Sequence, residues 1–324
     1  MYPLKFENIY YEKIWGGQDL TKFRANVPIG KIGESWDVAC HPNGMSIIKN
    51  GIYKGIRLDE LIKMKGEDLL GTKISKEQFP LLIKILNTRD KLSVQVHPDD
   101  EYALIHEKEM GKREVWYVME AQEGAFIILG TNGCTKEEFK KAIEDKNVEE
   151  YMNKIEVKKG DIYYLKSGLI HSMGPGLVIA EIQQNSDTTY RVYDYDRGRE
   201  LHIEKALDII DFELEGKRSS GLKVEMEYYD KTYYCLNEHF ALELYDVKKY
   251  FQETSDKERF YVFTCVKGNG LIKYRDGEEK IHMGESIFIP ASLGEYEIIG
   301  QLSLLKSYLP NIPKVESQIL ELLK

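Results

Sequence analysis

The chain has 324 residues, of which 42% are hydrophobic and 31% are charged, as is typical of a folded globular protein. Its formal net charge of −9 excludes a general attraction to nucleic acid or anionic membranes, so an anionic ligand would need a local basic pocket. No apolar run approaches transmembrane length, no signal peptide is recognisable, and the four cysteines form no paired motif. Together these features predict a cytoplasmic protein with no membrane segment.

Strand patterns dominate the chain, because short segments rich in β-branched and aromatic residues recur along most of its length. In chain order these segments are 92–97, 114–119, 125–130, 161–165, 176–184, 190–195, 261–266, 270–275 and 285–290. Helices are expected at 59–65, 98–109, 135–151 and 204–210. The third of these helices begins with Thr135 and Glu138, a capping-box pair.

A linker is expected at residues 213–222, which are charged and contain Ser-Ser-Gly. A chain of this length also has room for two domains. We therefore predict a mainly β protein with an N-terminal domain over residues 1–215 and a C-terminal domain over residues 216–324. The short helices are insertions in the N-terminal half, and residues 223–324 are expected to be largely strands.

The two halves share a local pattern of a glycine, a strand and a tight turn. The first copy starts at Gly160 and ends on His171, whereas the second runs from Gly284 to Gly294 with no histidine at the equivalent position. This pattern resembles the second motif of cupin proteins, G-x5-P-x-G-x2-H-x3-N. The chain thus resembles a bicupin, with two β-barrel or jelly-roll domains, of which only the N-terminal one could bind a metal.

Three further side chains are candidates to share a metal site with His171. Gln95 and His97 lie on one face of their predicted strand, because side chains alternate across a strand. Glu114 begins an apolar strand, where an unpaired charge would be costly to bury. Two imidazoles and a carboxylate suit zinc, and also iron, manganese or cobalt. Each residue taken alone could instead be a hydrogen-bonded core residue or a solvated one.

Six segments carry a more specific pattern. They are EKIWGG, GESWDVACHPNG, LSVQVHPDDEYA, GKREVW, GLIHSMGPG and QQNSDTTYRVYDYDR. Together they resemble the type I mannose-6-phosphate isomerase family of cupin enzymes in its short bacterial form, strongly so from about Ile9 to Arg197. The resemblance implies an aldose–ketose isomerase that interconverts mannose 6-phosphate and fructose 6-phosphate through an enediol. It also implies one zinc ion per chain, held by Gln95, His97, Glu114 and His171.

The resemblance further implies that Arg191 is catalytic and that Lys112 lies in the sugar-phosphate pocket, so that both contact the substrate. Strand periodicity alone favours a surface residue paired with Asp187 or Asp194 for Arg191, and only the family resemblance reverses that interpretation. The proton carrier is open between Lys112, Glu181 and a metal-bound water. A carboxylate on an interior face can have a raised pKa that suits a base, although a solvated glutamate on an edge strand is an alternative for Glu181.

Two other functions fit the same fold. An iron-dependent cupin dioxygenase would commonly use a His-x-His pair, and Gln95 stands where its first histidine would be. A non-catalytic sugar-phosphate-binding cupin would keep the pocket without turnover. The expected partner of the chain is a small sugar phosphate rather than nucleic acid or membrane. The chain could be a monomer or a homodimer.

Overall fold

The computed structural model describes residues 1–323 and is mainly β. Over that part of the chain the strands are β1 (Ile9–Gly17), β2 (Ile32–Val38), β3 (Cys40–His41), β4 (Gly44–Met45), β5 (Leu81–Thr88), β6 (Val94–Val96), β7 (Glu114–Ala121), β8 (Phe126–Thr131), β9 (Met152–Glu156), β10 (Ile162–Leu165), β11 (His171–Met173), β12 (Leu177–Gln184), β13 (Tyr190–Tyr193), β14 (Leu222–Glu225), β15 (Tyr229–Leu236), β16 (Ala241–Val247), β17 (Tyr250–Thr254), β18 (Tyr261–Tyr274), β19 (Gly277–His282), β20 (Ser286–Ile289) and β21 (Glu295–Tyr308). The helices are α1 (Leu58–Lys65), α2 (Glu67–Leu70), α3 (Asp100–His106), α4 (Lys136–Glu144), α5 (Ile203–Ile209) and α6 (Ile312–Leu322).

Two antiparallel sheets form the N-terminal half. One has the strand order β1-β2-β5-β12-β7-β10, and the other has the order β13-β6-β11-β8-β9. Apolar side chains from both sheets pack together between them, among them Val118 and Ile179 from the first and Ile127 and Leu129 from the second. The pairing stops at the outer strands of each sheet, so of the two expected forms, β-barrel or jelly roll, the closed barrel is not found: the sheets are open and stacked as layers.

The C-terminal half is built on one eight-stranded sheet. Its order is β14-β15-β16-β21-β18-β19, with β17 paired to β21 and β20 paired to β18. The two longest strands, β18 and β21, pair along most of their 14 residues, with a register shift between Cys265 and Lys267. A separate apolar cluster that includes Phe251, Phe263 and Ile298 packs on one face of this sheet.

The two halves share a third apolar cluster. It brings Ile83 and Ile182 of the six-stranded sheet together with Phe260, which directly precedes β18, and Phe288 of β20. The six-stranded sheet is therefore buried on both faces, which explains why β5 and β12 are mainly apolar and buried at every position, with no alternation of buried and exposed residues. A polar residue on these strands thus has no exposed face to occupy.

The predicted helices are confirmed: α1 and α5 lie within one residue of their predicted bounds, whereas α3 and α4 are shorter than predicted. In α4 the capping box forms as expected, with Thr135 Oγ1 accepting from the Glu138 amide at 3.2 Å and Glu138 Oε2 accepting from the Thr135 amide at 2.8 Å. This helix ends well before residue 151, because Lys146 adopts a positive φ of 58°. None of the helices among residues 1–323 is long and apolar enough to cross a membrane.

Helix α6 was missed, because residues 223–324 were expected to be largely strands. Its start has two ordinary signals: Asn311 accepts a hydrogen bond from the Lys314 amide, and Pro313 lies in the first turn. Only Val315 of this helix is buried, so most of its surface faces solvent or the cavity described below.

Candidate metal centre and cavity

Three of the four predicted ligands converge between the two N-terminal sheets. The potential ligand atoms of His97, Glu114 and His171 all lie within 4.8 Å of one another. His97 Nε2 is 3.2 Å from Glu114 Oε1, and His171 Nε2 is 4.0 Å from Glu114 Oε2. All three side chains are at most 2% exposed, so the cluster is an interior one.

The sheets themselves bring these residues together. His171 opens β11 directly opposite Gln95 on β6, and His97 follows β6 by one residue. Glu114 comes from the other layer, where it opens β7 opposite Gln183 of β12. The cluster therefore depends on the stacking of two sheets, which strand periodicity in one segment does not specify.

Both imidazoles are in the form that binds metal. His171 Nδ1 lies 2.8 Å from the Leu169 carbonyl oxygen and donates to it, which leaves the Nε2 lone pair facing the cluster. Burial lowers the pKa of His171, and it lowers the pKa of His97 to about 3, with the Lys112 ammonium as the next cause. Metal ligation requires a neutral imidazole, so no proton would have to leave.

Glu114 provides the test of whether a cation fits. Burial by itself would raise its pKa, but Lys112 and then His97 hold that pKa well below the usual range, so the group is a carboxylate. Its Oε2 accepts from Trp116 Nε1 at 3.0 Å, whereas its Oε1 accepts no hydrogen bond of ordinary geometry from the described residues and lies 3.2 Å from His97 Nε2 and 3.3 Å from Lys112 Nζ. A divalent cation beside the two imidazole nitrogens would give this buried oxygen a direct ligand bond in addition to the nearby ammonium.

Gln95 lies close enough to be a fourth ligand. Its side-chain amide nitrogen is 3.4 Å from His171 Nε2, and the residue is half-buried at the wall of the cavity. Only the amide oxygen could bind a cation, and a half-turn of the amide group exchanges the two atoms.

A cavity of ≈ 220 Å³ opens beside the cluster, and we refer to it as the N-terminal cavity. Its walls include Trp15, Glu34, Lys84, Ser93, Gln95, Lys112, Trp116, Glu181, Asp187, Arg191 and Arg199. One wall contains Lys84, Glu181 and Trp116, which stand directly opposite one another in turn across the six-stranded sheet. Another contains Arg191 and Gln95, which are paired across the five-stranded sheet, and His171 stands next to Gln95 in the same row, at the cluster.

Lys112 and Arg191 reach this cavity from different sides. Lys112 is buried, with its Nζ 3.2 Å from His97 Nε2 and 3.3 Å from Glu114 Oε1. The Arg191 guanidinium is held by Ser93 Oγ at 3.3 Å and by the Glu200 carbonyl oxygen at 2.7 Å. Both place cationic donors at the cavity. Arg191 has no ion pair with either aspartate that was weighed as its partner, within the described chain.

Glu181 lies on an interior strand, so the alternative of a solvated edge-strand glutamate was wrong. Its Oε2 accepts from Trp116 Nε1 at 2.9 Å, and its Oε1 is 3.7 Å from Lys84 Nζ. Burial, followed by the nearby Glu114 carboxylate, raises the pKa of Glu181 to about 8. The same Trp116 N–H serves both carboxylates and thereby fixes their separation.

Lys84 and Trp116 are site residues that the sequence analysis missed. Lys84 is only 3% exposed, lies over the Trp36 ring at 4.8 Å, and has Glu34 and Glu181 within 4 Å. Burial opposes its charge, but Glu34 and then Glu181 raise its pKa, so it remains an ammonium. The sequence does contain a signal for a buried, functional Lys84, because it is the one lysine in the mainly apolar segment LLIKILNT.

Known proteins resemble the chain along most of its length. A family model described as the catalytic domain of type I phosphomannose isomerase matches residues 3–142, and one described as the cupin domain of mannose-6-phosphate isomerase matches residues 230–309. Mannose-6-phosphate isomerase ManA of Bacillus subtilis is 37% identical over 314 residues, which cover 95% of this chain and 99% of that protein. The mannose-6-phosphate isomerase of Streptococcus mutans is 37% identical over 317 residues, covering 94% and 98%.

A solved structure shows the same similarity in three dimensions. The crystal structure of the mannose 6-phosphate isomerase from Bacillus subtilis has a TM-score of 0.89 at 33% identity, covering 95% of this chain and 99% of that one.

Proposed function

The chain belongs to the type I mannose-6-phosphate isomerase family, and on that premise we propose that it interconverts mannose 6-phosphate and fructose 6-phosphate in the N-terminal cavity. It is an enzyme of this family by its similarity to curated relatives over nearly its whole length. The convergence of His97, Glu114 and His171 beside a cavity that also holds Lys112, Glu181 and Arg191 is the observation that carries the proposal. Neither a dioxygenase nor a non-catalytic binding protein is favoured by any of these similarities.

We propose that His97, Glu114 and His171, with Gln95 as the fourth ligand, hold one zinc ion. The buried Glu114 carboxylate, the neutral imidazoles and the nitrogen–oxygen donor set support this choice. When bound, such an ion supplies Lewis-acid polarisation of a sugar oxygen and helps to orient the open-chain sugar. The same donors would also accept other divalent ions.

Aldose–ketose isomerisation moves a proton between C2 and C1 of the open-chain sugar through an enediol. We assign this proton transfer to Glu181, because it lines the cavity, is buried, and has a raised pKa that suits both accepting and returning a proton. Trp116 fixes one of its oxygens, and Lys84 lies near the other. Lys112 is the alternative carrier, because it lines the same cavity.

Arg191 has the role of stabilising the enediol. Negative charge develops on the two sugar oxygens, and a guanidinium can donate to both while keeping its own proton. Its anchoring by Ser93 and Glu200 holds it in place before the sugar arrives, which is how fixed donors lower a barrier. Lys112 and Arg191 together also give the anionic substrate a local basic surface in a chain of net charge −9.

We also propose a bicupin organisation, with a catalytic domain at residues 1–215 and a degenerate domain at residues 216–324. The repeated pattern supports it, since Gly160 and Gly168 in the first copy and Gly284 and Gly294 in the second all have positive φ. Among the described residues, only His97, Glu114 and His171 form a cluster that could hold a metal ion, so the C-terminal domain is expected to bind no metal. Cytoplasmic location and a monomeric or dimeric state stay predictions.

A coupled assay tests the proposed function most simply. Conversion of mannose 6-phosphate to fructose 6-phosphate would be followed before and after treatment with a chelator, and again after zinc is restored. We expect turnover, loss with the chelator, and recovery with zinc. Absence of turnover in zinc-loaded protein would contradict the reaction, whereas turnover that resists complete metal removal would contradict the metal site alone.

A further inference from the structure

We propose that the C-terminal sheet carries a second small-molecule site, which binds a neutral, hydroxyl-rich ligand of the hexose class. A cavity of ≈ 660 Å³, here called the C-terminal cavity, lies between this sheet and helix α6. Its floor is formed by Lys231, Glu243, Glu253, Tyr261, Lys306 and Tyr308. It shares no lining residue with the N-terminal cavity, so a ligand there would be separate from the isomerase substrate.

Two ion pairs, each between one buried and one half-buried side chain, form the floor of this cavity. Lys306 Nζ is 2.7 Å from Glu253 Oε2, and Lys231 Nζ is 2.8 Å from Glu243 Oε2. Exposure of the four side chains ranges from 3% for Glu243 to 20% for Glu253. Burying such pairs costs desolvation energy, and apolar residues of similar size would fill a purely structural core at least as well.

Tyrosine hydroxyls hold the two carboxylates in fixed positions. Tyr308 donates to Glu243 Oε1 at 2.5 Å. Tyr245 donates to Glu253 Oε1 at 2.5 Å, and Tyr296 donates to Glu253 Oε2 at 2.7 Å. Each of the four carboxylate oxygens is thus engaged by a tyrosine or a lysine, which fixes the floor before any ligand arrives.

The two ammonium groups still have donors to offer. An ammonium carries three N–H donors, and each lysine contacts one carboxylate oxygen closely. Lys306 also lies over the Tyr261 ring at 3.9 Å, and Lys231 lies over the Tyr233 ring at 4.5 Å. The floor therefore combines free N–H donors, carboxylate lone pairs and aromatic surface.

The charge balance of the floor selects the chemical class of the ligand. The charges of the two lysines and two glutamates cancel. An anion would therefore be repelled by two carboxylates, and a cation would be repelled by two ammonium groups. A hydroxyl group both donates and accepts, and a sugar ring presents several of them beside C–H faces that pack on aromatic rings. At the rim, Arg259 and Lys314 are both engaged by Asp256, at 3.2 Å and 3.0 Å. A phosphate would compete with that aspartate.

Ligand-observed saturation-transfer NMR on the full chain tests the site, with D-mannose, D-glucose and D-fructose as probes and inorganic phosphate as the anionic probe. We expect at least one hexose to bind the wild type and the His97→Ala variant equally, which separates this site from the N-terminal cavity. Lys231→Met should weaken that binding at least tenfold, whereas Lys273→Met, an exposed lysine outside the C-terminal cavity, should not.

A second pair of variants tests the proposal independently, in case Lys231→Met misfolds. Gln318 lies on α6 at the rim, exposed and away from the ion pairs, so Gln318→Trp should block entry without disturbing the floor. Glu316→Trp on the same helix does not face the cavity and is the matched control. The proposal is overturned if no hexose binds, if binding survives Gln318→Trp, or if inorganic phosphate displaces the hexose.

Discussion

The two cavities of this protein contain similar residues but differ in what surrounds their carboxylates. Beside the N-terminal cavity, Glu114 Oε1 lies 3.2 Å from His97 Nε2 and 3.3 Å from Lys112 Nζ, and its Oε2 lies 4.0 Å from His171 Nε2. In the C-terminal cavity, every oxygen of Glu243 and Glu253 contacts a tyrosine hydroxyl or a lysine ammonium, and no described histidine lines the cavity. Paired lysines and glutamates over aromatic rings are present in both. Two neutral histidines beside a carboxylate, rather than buried charge itself, therefore mark the metal site.

The largest expected effect is the loss of the metal site. His97→Ala should reduce bound zinc from one ion per chain to none and abolish isomerase activity, because it removes one of two imidazole ligands. Metal content by plasma mass spectrometry and the coupled assay would be measured together. His282→Ala, at an exposed position of the C-terminal sheet, is the control and should change neither. Full zinc content in His97→Ala would rule out the assigned ligand set.

The matching change in the C-terminal cavity should affect stability and leave the metal in place. Lys306→Met leaves the half-buried Glu253 without its closest cation. Breaking a fully buried pair costs about 3–5 kcal/mol, so a loss near the lower end of that range is expected here. Urea unfolding measures the loss, with Lys273→Met as an exposed-lysine control. The double variant Lys306→Met with Glu253→Leu should recover much of it. A destabilised double variant would show that the two residues are not acting as a pair.

The Arg191→Ala variant separates turnover from metal binding at the N-terminal site. Removing a fixed donor to a developing oxyanion typically lowers kcat by about 10²–10³-fold, and Arg191 is not among the ligand candidates. Zinc content should stay at one ion per chain. Arg191→Lys keeps the charge but loses the planar pair of donors, so it should restore only part of the activity. An Arg191→Ala variant with unchanged kcat would exclude the enediol role.

The smallest expected effect is a pH dependence that belongs to the C-terminal cavity. Burial alone would raise the pKa of Glu253, but Lys306 and then Lys231 lower it to about 2. A carboxyl whose pKa is depressed in the folded state stabilises the protein above its unfolded pKa of about 4.3, and that stability is lost as pH falls toward 2. The shift corresponds to about 3 kcal/mol.

Unfolding free energies at pH 6 and at successively lower values would show this loss. The decline should be weaker in the Lys306→Met variant, because its Glu253 loses the strongest of the interactions that depress its pKa. Equal declines in the two proteins would mean that other carboxyls account for the acid sensitivity.

The sequence predicted the parts of the site that depend on local pattern. Gln95 and His97 share a strand face, and Glu114 opens an apolar strand, so these positions could be identified from alternation and from the cost of burial. Lys84, Trp116 and the cross-strand row they form could not, because strand order and register join segments almost 100 residues apart. Only the lone lysine in LLIKILNT signalled that row.

The fold was predicted at the level of class but not of sheet closure. Strand composition identifies a mainly β chain, whereas closure into a barrel depends on whether the outer strands pair with each other, which composition does not encode. Helix α6 was not predicted, because it lies in a region expected to be strands, although Asn311 and Pro313 mark its start. That helix also forms a wall of the C-terminal cavity, which for this reason had no counterpart in the sequence analysis.

X-ray diffraction from zinc-loaded crystals, measured on both sides of the zinc absorption edge, tests the central contrast most directly. The predicted result is one anomalous peak per chain, between His97, Glu114 and His171, and none among Lys231, Glu243, Glu253 and Lys306. A peak in the C-terminal cavity, or no peak at the histidines, would contradict the conclusion that neutral histidines beside a carboxylate, and not buried charge itself, mark the metal site.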